Sequence, residues 1–171
     1  MLSQTVQDAL NDQINTELGS SYNYLAMSAY CERHNFLGCA HWLRVQSQEE
    51  YGHGMKIFQF MQDRNSKVVL KQINAPRIDF ASVIEVFEQA LEQEIHVSER
   101  INALYELAFK EKAFAALVEL QWFITEQVEE ERTAREIVAK FHMVKDDPSA
   151  MLDLDRELAG RTQAAAEPAA E

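Results

Sequence analysis

Residues 46–57 read Gln46-Ser47-Gln48-Glu49-Glu50-Tyr51-Gly52-His53-Gly54-Met55-Lys56-Ile57, and within them Glu50 and His53 stand three positions apart. On a helix, residues at that spacing are neighbours on one face, so a carboxylate and an imidazole point side by side. The rest of the chain supplies matching groups: Glu17, Glu94 and the run Gln127-Val128-Glu129-Glu130. Carboxylates from four long helical stretches, with an imidazole beside one of them, are what a helix bundle needs to hold two metal ions inside itself. The stretch therefore reads as one wall of a di-metal site in an all-α fold.

The registration of these groups carries the argument. Core-facing positions of a bundle helix recur at alternating steps of three and four. Leu10, Ile14, Glu17, Ser21, Tyr24 and Ser28 form one such stripe, and Leu43, Gln46, Glu50, His53, Ile57 and Phe60 a second. Phe87, Leu91, Glu94, Ser98, Ile101 and Tyr105 form a third, and Leu120, Phe123, Gln127, Glu130, Ala134 and Ile137 a fourth. The ionisable groups of each stripe sit near its middle. A buried charge costs several kcal/mol unless paired or metal-bound. Four carboxylates at one level thus require a common counter-charge, which two divalent ions supply. Carboxylate oxygens with one imidazole suit iron or manganese better than a structural zinc site, and iron is the reading adopted.

Composition agrees. Only five Gly and three Pro punctuate 171 residues, too few turns for many strands. A formal net charge of −12 argues against a nucleic-acid partner and favours cations. With no apolar run of about 18 residues and no secretory pattern, the expectation is a cytoplasmic chain with no membrane partner. The two cysteines, Cys31 and Cys39, are expected to be reduced thiols. With His34 and His41 they imitate a zinc patch, but the spacing is irregular for zinc and a helix-to-helix corner is the plainer reading.

The pattern predicts helices over about Thr5–His34, Ala40–Arg64, Phe80–Lys110 and Ala113–Val144, with Ser3 capping the first. Asp79, or a capping box from Ser82 to Glu85, opens the third. Asn65 to Asp79 has no helical period and contains Pro76. About 15 extended residues reach about 50 Å, whereas a 25-residue helix is about 38 Å long. That segment can therefore cross the bundle and make the second and third helices parallel. Asp147 and Pro148 start a short fifth helix ending at Gly160. Residues 1–160 are read as one domain, and the Ala/Glu-rich 161–171 as a disordered tail.

With these motifs in place, the chain resembles a prokaryotic-type non-haem ferritin from about residue 3 to about residue 160. The resemblance implies a ferritin-like four-helix bundle with a long crossover between helices 2 and 3 and a short C-terminal fifth helix. It implies that Glu17, Glu50 and His53 bind a first iron, that Glu50 bridges, and that Glu94 and Glu130 complete a second. Tyr24 and Gln127 would flank this ferroxidase centre. Glu49, Glu126, Glu129 and Glu130 match an additional iron site found in microbial ferritins. Bacterioferritins usually carry His where this chain has Glu130, and a haem-binding Met where it has Tyr51, so no haem is expected. Rubrerythrins add a Cys-rich segment that this chain lacks. Animal ferritins line their three-fold pores with acids, where this chain has Leu117 and Leu120.

The implied function is iron storage with ferroxidase activity: Fe(II) oxidised by dioxygen and the Fe(III) stored as hydrated oxide within a homo-oligomeric shell of 24 subunits. Two other classes remain open, a di-iron oxidase or peroxidase of the ferritin-like family, and a structural helix bundle without metal.

Overall fold

The computed structural model describes residues 2–162 and contains five helices among them: α1 (Gln4–Arg33), α2 (Leu37–Asp63), α3 (Val83–Lys110), α4 (Phe114–Val144) and α5 (Pro148–Leu158). The tail expected over 161–171 falls, from residue 163 onward, outside the described residues. Residue pairs across the helices set the topology. Ser21 meets Ser47 and Ser28 meets Ala40, so α1 and α2 run antiparallel. Asn23 meets Gln93 and Tyr30 meets Phe80, so α1 is antiparallel to α3 as well. It follows that α2 and α3 are parallel, as the long crossover allows. The pairing of Gln127 with Glu94 and of Phe87 with Phe141 makes α4 antiparallel to α3.

The helix ends follow local chemistry. Ser3 accepts the Val6 N–H, and Asp147 accepts those of Ser149 and Ala150 with Pro148 at the first helical position. α1, α2 and α3 each close with a residue in the left-handed region, Asn35 (φ 62°), Asn65 (φ 50°) and Lys112 (φ 54°). In the first, the Phe36 N–H reaches back to the Cys31 carbonyl at 3.0 Å and the Asn35 N–H to Glu32 at 3.1 Å, the paired bonds of a Schellman motif.

Two helix starts differ from the expected ones. α3 begins at Val83, not Phe80, at the capping box expected as the alternative to Asp79: Ser82 accepts the Glu85 N–H while the Glu85 carboxylate turns back to the Ala81 N–H. α2 begins at Leu37, not Ala40, and its cap comes from far along the chain. Phe36 offers no side-chain acceptor there; Asp155 of α5 accepts the Gly38 and Cys39 N–H groups at 3.1 and 2.8 Å. A carboxylate on exposed N–H groups at a helix N-terminus is favoured by both hydrogen bonding and the helix dipole. Gly38 makes that approach feasible, since a Cβ there would lie 1.7 Å from the Asp155 backbone oxygen.

The crossover is strapped to α1 by two asparagines. Asn11 donates to the Lys67 carbonyl and accepts from the Val69 N–H; Asn15 donates to the Val69 carbonyl and accepts from the Lys71 N–H, at 2.6–2.9 Å. The two carboxamides pair with extended backbone as a neighbouring strand would.

The core divides into two apolar clusters. One gathers Tyr24, Met27, Trp42, Leu43, Phe87 and Phe141; the other Leu10, Ile14, Ile57, Ile101, Leu120 and Phe123. On each of the four long helices the change from one cluster to the other falls at a buried polar residue: Glu17, Glu50, Glu94 or Glu130. α3 is rotated slightly from its expected stripe. Val83, Phe87, Ala90, Glu94, Val97, Ile101, Leu104 and Ala108 are buried, whereas Leu91, Ser98 and Tyr105 are only half-buried.

The trans cap gives a test of how α5 is held. Asp155→Ala leaves two N–H groups without their acceptor and is expected to lower stability to urea by about 1–3 kcal/mol. Proteolysis should then release α5 before the bundle unfolds. Unchanged urea stability together with an intact α5 would show that apolar contacts alone hold this helix.

Candidate metal centre

The polar layer between the two apolar clusters contains all five residues expected to hold the first two ions. Glu17, Glu50, His53, Glu94 and Glu130 are each less than 8% exposed. Glu17, Glu50 and His53 form one group whose ligand atoms all lie within 4.8 Å of one another, and Nδ1 of His53 stands 3.6 Å from Glu50 Oε2. A second group of the same compactness joins His53 to Glu126 and Glu130. His53 therefore belongs to both, with its ring edge-on to Trp122 and Phe123 at centroid distances of 5.3 and 6.1 Å.

Neutral donors hold the carboxylates in place. Gln13 donates to Glu17 at 2.8 Å, one helical turn away. Gln46, equally spaced before Glu50, donates to it at 3.1 Å and crosses to Glu130 on α4 at 2.8 Å. Glu94 receives the Tyr24 hydroxyl from α1 and the Gln127 amide from α4, the latter at 3.3 Å. Gln13 and Gln46 had no assigned role in the sequence reading. Their signal is a glutamine four residues before a candidate ligand glutamate on both α1 and α2, the spacing that stacks two side chains on one face.

Burial is the main force on the acidity of this layer. It raises Glu17 to about 8, with repulsion from Glu50 second, and raises Glu50 to about 8, with Glu130 second. Glu94 rises to about 8 by burial and the Glu50 charge, and Glu130 to about 7 by burial and the Glu94 charge. The Tyr24 phenol is pushed well above its ordinary range by burial and then by Glu94, so it remains a hydrogen-bond donor. Glu17 Oε2, Glu50 Oε2 and Gln46 Oε1 are buried without a hydrogen-bond partner. Unpartnered carboxylate oxygens converging beside an imidazole form a donor set that fits a hard or borderline divalent cation.

The outer acids separate. Glu126 is brought to His53 and Glu130. Glu49 is half-buried and takes an ion pair from Arg161, a residue placed in the tail by the sequence reading. Glu129 is exposed. The Cys/His patch does not converge: His34 and His41 turn to backbone oxygens of Tyr30 and Arg161, each at 2.8 Å. Cys31 and Cys39 are buried free thiols, and burial pushes Cys31 up to about 12 and Cys39 further.

Comparison with known proteins gives concordant results. A family model described as a ferritin-like domain matches residues 7–144. A bacterial non-heme ferritin of Staphylococcus aureus strain USA300 is 38% identical over 162 residues, 95% of this chain and 98% of that protein. Among solved structures, a closed form of Archaeoglobus fulgidus ferritin engineered by mutagenesis superimposes with a TM-score of 0.94 at 41% identity, covering 96% of this chain and 100% of that one. An open-pore ferritin from the same archaeon gives a TM-score of 0.93 at 41% identity, covering 95% and 99%.

The raised carboxyls give a pH prediction for the metal-free protein. In the native state Glu50 keeps its proton to about pH 8, whereas unfolded it loses it near the ordinary 4.5. Between these values the native state holds more protons, so this contribution to stability is complete below about pH 4.5 and is lost as pH rises through 8. Glu50→Gln, which cannot ionise, should gain stability relative to the parent progressively from pH 5 to about pH 8 in urea unfolding. A difference in stability, variant minus parent, that stays flat or falls as pH rises from 5 to about 8 would contradict the assignment.

Proposed function

The chain belongs to the ferritin family, and on that premise we propose that it oxidises Fe(II) with dioxygen at the buried carboxylate layer and stores the Fe(III) as a hydrated oxide. The observation that carries this reading is the convergence of Glu17, Glu50 and His53 ligand atoms within 4.8 Å, two of the carboxylate oxygens being buried and without a hydrogen-bond partner. In this reading Glu17, Glu50 and His53 take one Fe(II), Glu50 reaches toward the second, and Glu94 and Glu130 complete it. Two Fe(II) ions side by side deliver one electron each to a single oxygen molecule. Fe(III), a harder ion, remains well matched to carboxylate oxygen after oxidation.

The neutral side chains hold the ligands. Gln13 fixes Glu17, Gln46 ties Glu50 to Glu130, and Tyr24 with Gln127 fixes Glu94. Carboxyls raised to about 7 and 8 give up protons as the ions enter, so iron binding strengthens with pH across that window. Glu126, grouped with His53 and Glu130, is the strongest candidate for an additional iron ligand, with Glu49 beside Glu50 and the exposed Glu129 further out. Association of copies is supported by large apolar side chains left exposed on one subunit, among them Leu25, Tyr51, Phe109, Phe114, Val118 and Met143, and the count of 24 is what the family resemblance implies.

Anaerobic titration with Fe(II) tests the reading directly. About two tight ions per chain are expected from a bundle-core carboxylate pair, and none would return the layer to a structural role. Glu50→Ala and His53→Ala should each abolish oxidation in the first seconds of mixing while circular dichroism retains the helical content. A burst in Glu50→Ala as fast as the parent's would mean that the centre lies elsewhere.

Tyr24→Phe keeps the ring and removes only the hydroxyl held by Glu94. The first oxidation burst should survive, because Gln127 still holds Glu94, and later turnovers should slow if the phenol supplies an electron. Stopped-flow traces identical to the parent's through several turnovers would leave Tyr24 a packing role alone.

A further inference from the structure

One cation stands at the edge of the carboxylate layer. Arg161 follows the end of α5, and its side chain is only 18% exposed. Its guanidinium lies 4.1 Å from the centroid of the Trp42 ring on α2 and donates through Nη2 to Glu49 Oε2. Its carbonyl oxygen sits 2.8 Å from Nε2 of His41. A planar guanidinium stacked on an indole and paired with a carboxylate is held in one orientation, as a lysine ammonium would not be.

The chain is built to deliver it there. Asp155 docks α5 on the N-terminus of α2, and Gly38 allows the contact, so residues 159–161 run along the face that presents His41, Trp42 and Glu49. Glu49 directly precedes Glu50 and adds to its repulsive surroundings. Arg161 acts in the opposite sense on Glu130 across the layer.

We infer that Arg161 is a resident competitor for metal on the Glu49 side of the centre: its guanidinium occupies the carboxylate that an outer ion would use, keeping that ion weakly held. The inference rests on the di-iron reading above, in which Glu126, grouped with His53 and Glu130, is the strongest ligand for an ion beyond the first two and Glu49, beside Glu50, is a further candidate. An ion arriving there must displace the guanidinium from Glu49, and the arginine can return when the ion moves on. Arg161 is thus a positioning residue, acting on metal through Glu49.

The test uses redox-inert Zn(II) and equilibrium dialysis on the full chain, comparing the parent, Arg161→Gln, Arg161→Lys, Glu49→Gln and the double variant. Removing the guanidinium should tighten the weakest class of ion by about fivefold or more. Arg161→Lys, which keeps the charge but lacks the planar fork that Trp42 and Glu49 hold, should fall between the parent and Arg161→Gln. Glu49→Gln should weaken that class, and adding Arg161→Gln to it should change nothing further. Inner ions retained with an unchanged outer class in Arg161→Gln would overturn this inference alone, leaving the arginine as an anchor for α5. No tight ions in the parent would overturn the di-iron reading and this inference with it.

Discussion

Four carboxylates held at one level of a low-dielectric core repel one another, and the bundle is arranged around that repulsion. In water such groups ionise near pH 4.5; here burial and mutual charge raise them to between about 7 and about 8. The metal-free protein answers with protons and with amide donors from Gln13, Gln46 and Gln127, which hold the oxygens without neutralising them. Two divalent ions would neutralise them outright. Burying ionisable groups without compensation is costly, so these residues make more physical sense as a site than as a core.

The layer also explains the division of the apolar core. Each long helix buries one apolar stretch on either side of its buried glutamate, so the two clusters clamp the polar layer from both ends. His53 marks the junction on one side, edge-on to Trp122 and Phe123, and Tyr24 marks it on the other, its ring packed among apolar residues and its hydroxyl on Glu94. Rigid apolar packing on both sides holds the carboxylates where mutual repulsion would otherwise separate them.

Much of this was legible in the sequence because helix periodicity is a strict ruler. Glu17, Glu50, His53, Glu94 and Glu130 fall on core stripes, and the structure gathers them in one buried layer. The reach of the crossover permitted the parallel arrangement of α2 and α3 that the helix contacts show. What escaped was non-local. The start of α2 depends on Asp155, more than a hundred residues away, and no local pattern announces a cap borrowed from another helix. Arg161 read as tail because composition describes its neighbours, whereas its ion pair with Glu49 and its stacking on Trp42 are set by the docking of α5. The rotation of α3 toward Val97 and Leu104, away from Ser98 and Tyr105, was not legible because two heptad series share Phe87, Glu94 and Ile101. Periodicity alone does not choose between them.

The asparagine strap on the crossover imposes a rule of parity. Asn11 and Asn15 engage the peptide groups of Lys67, Val69 and Lys71, every second residue, and so define which half of the extended segment faces α1. Because an extended chain alternates sides with each residue, losing or gaining one residue within 67–71 would present the opposite set of peptide groups to the two asparagines. A change of two would restore the phase. The connection, although irregular in outline, therefore tolerates length variation in even steps at this point and in arbitrary steps only beyond it.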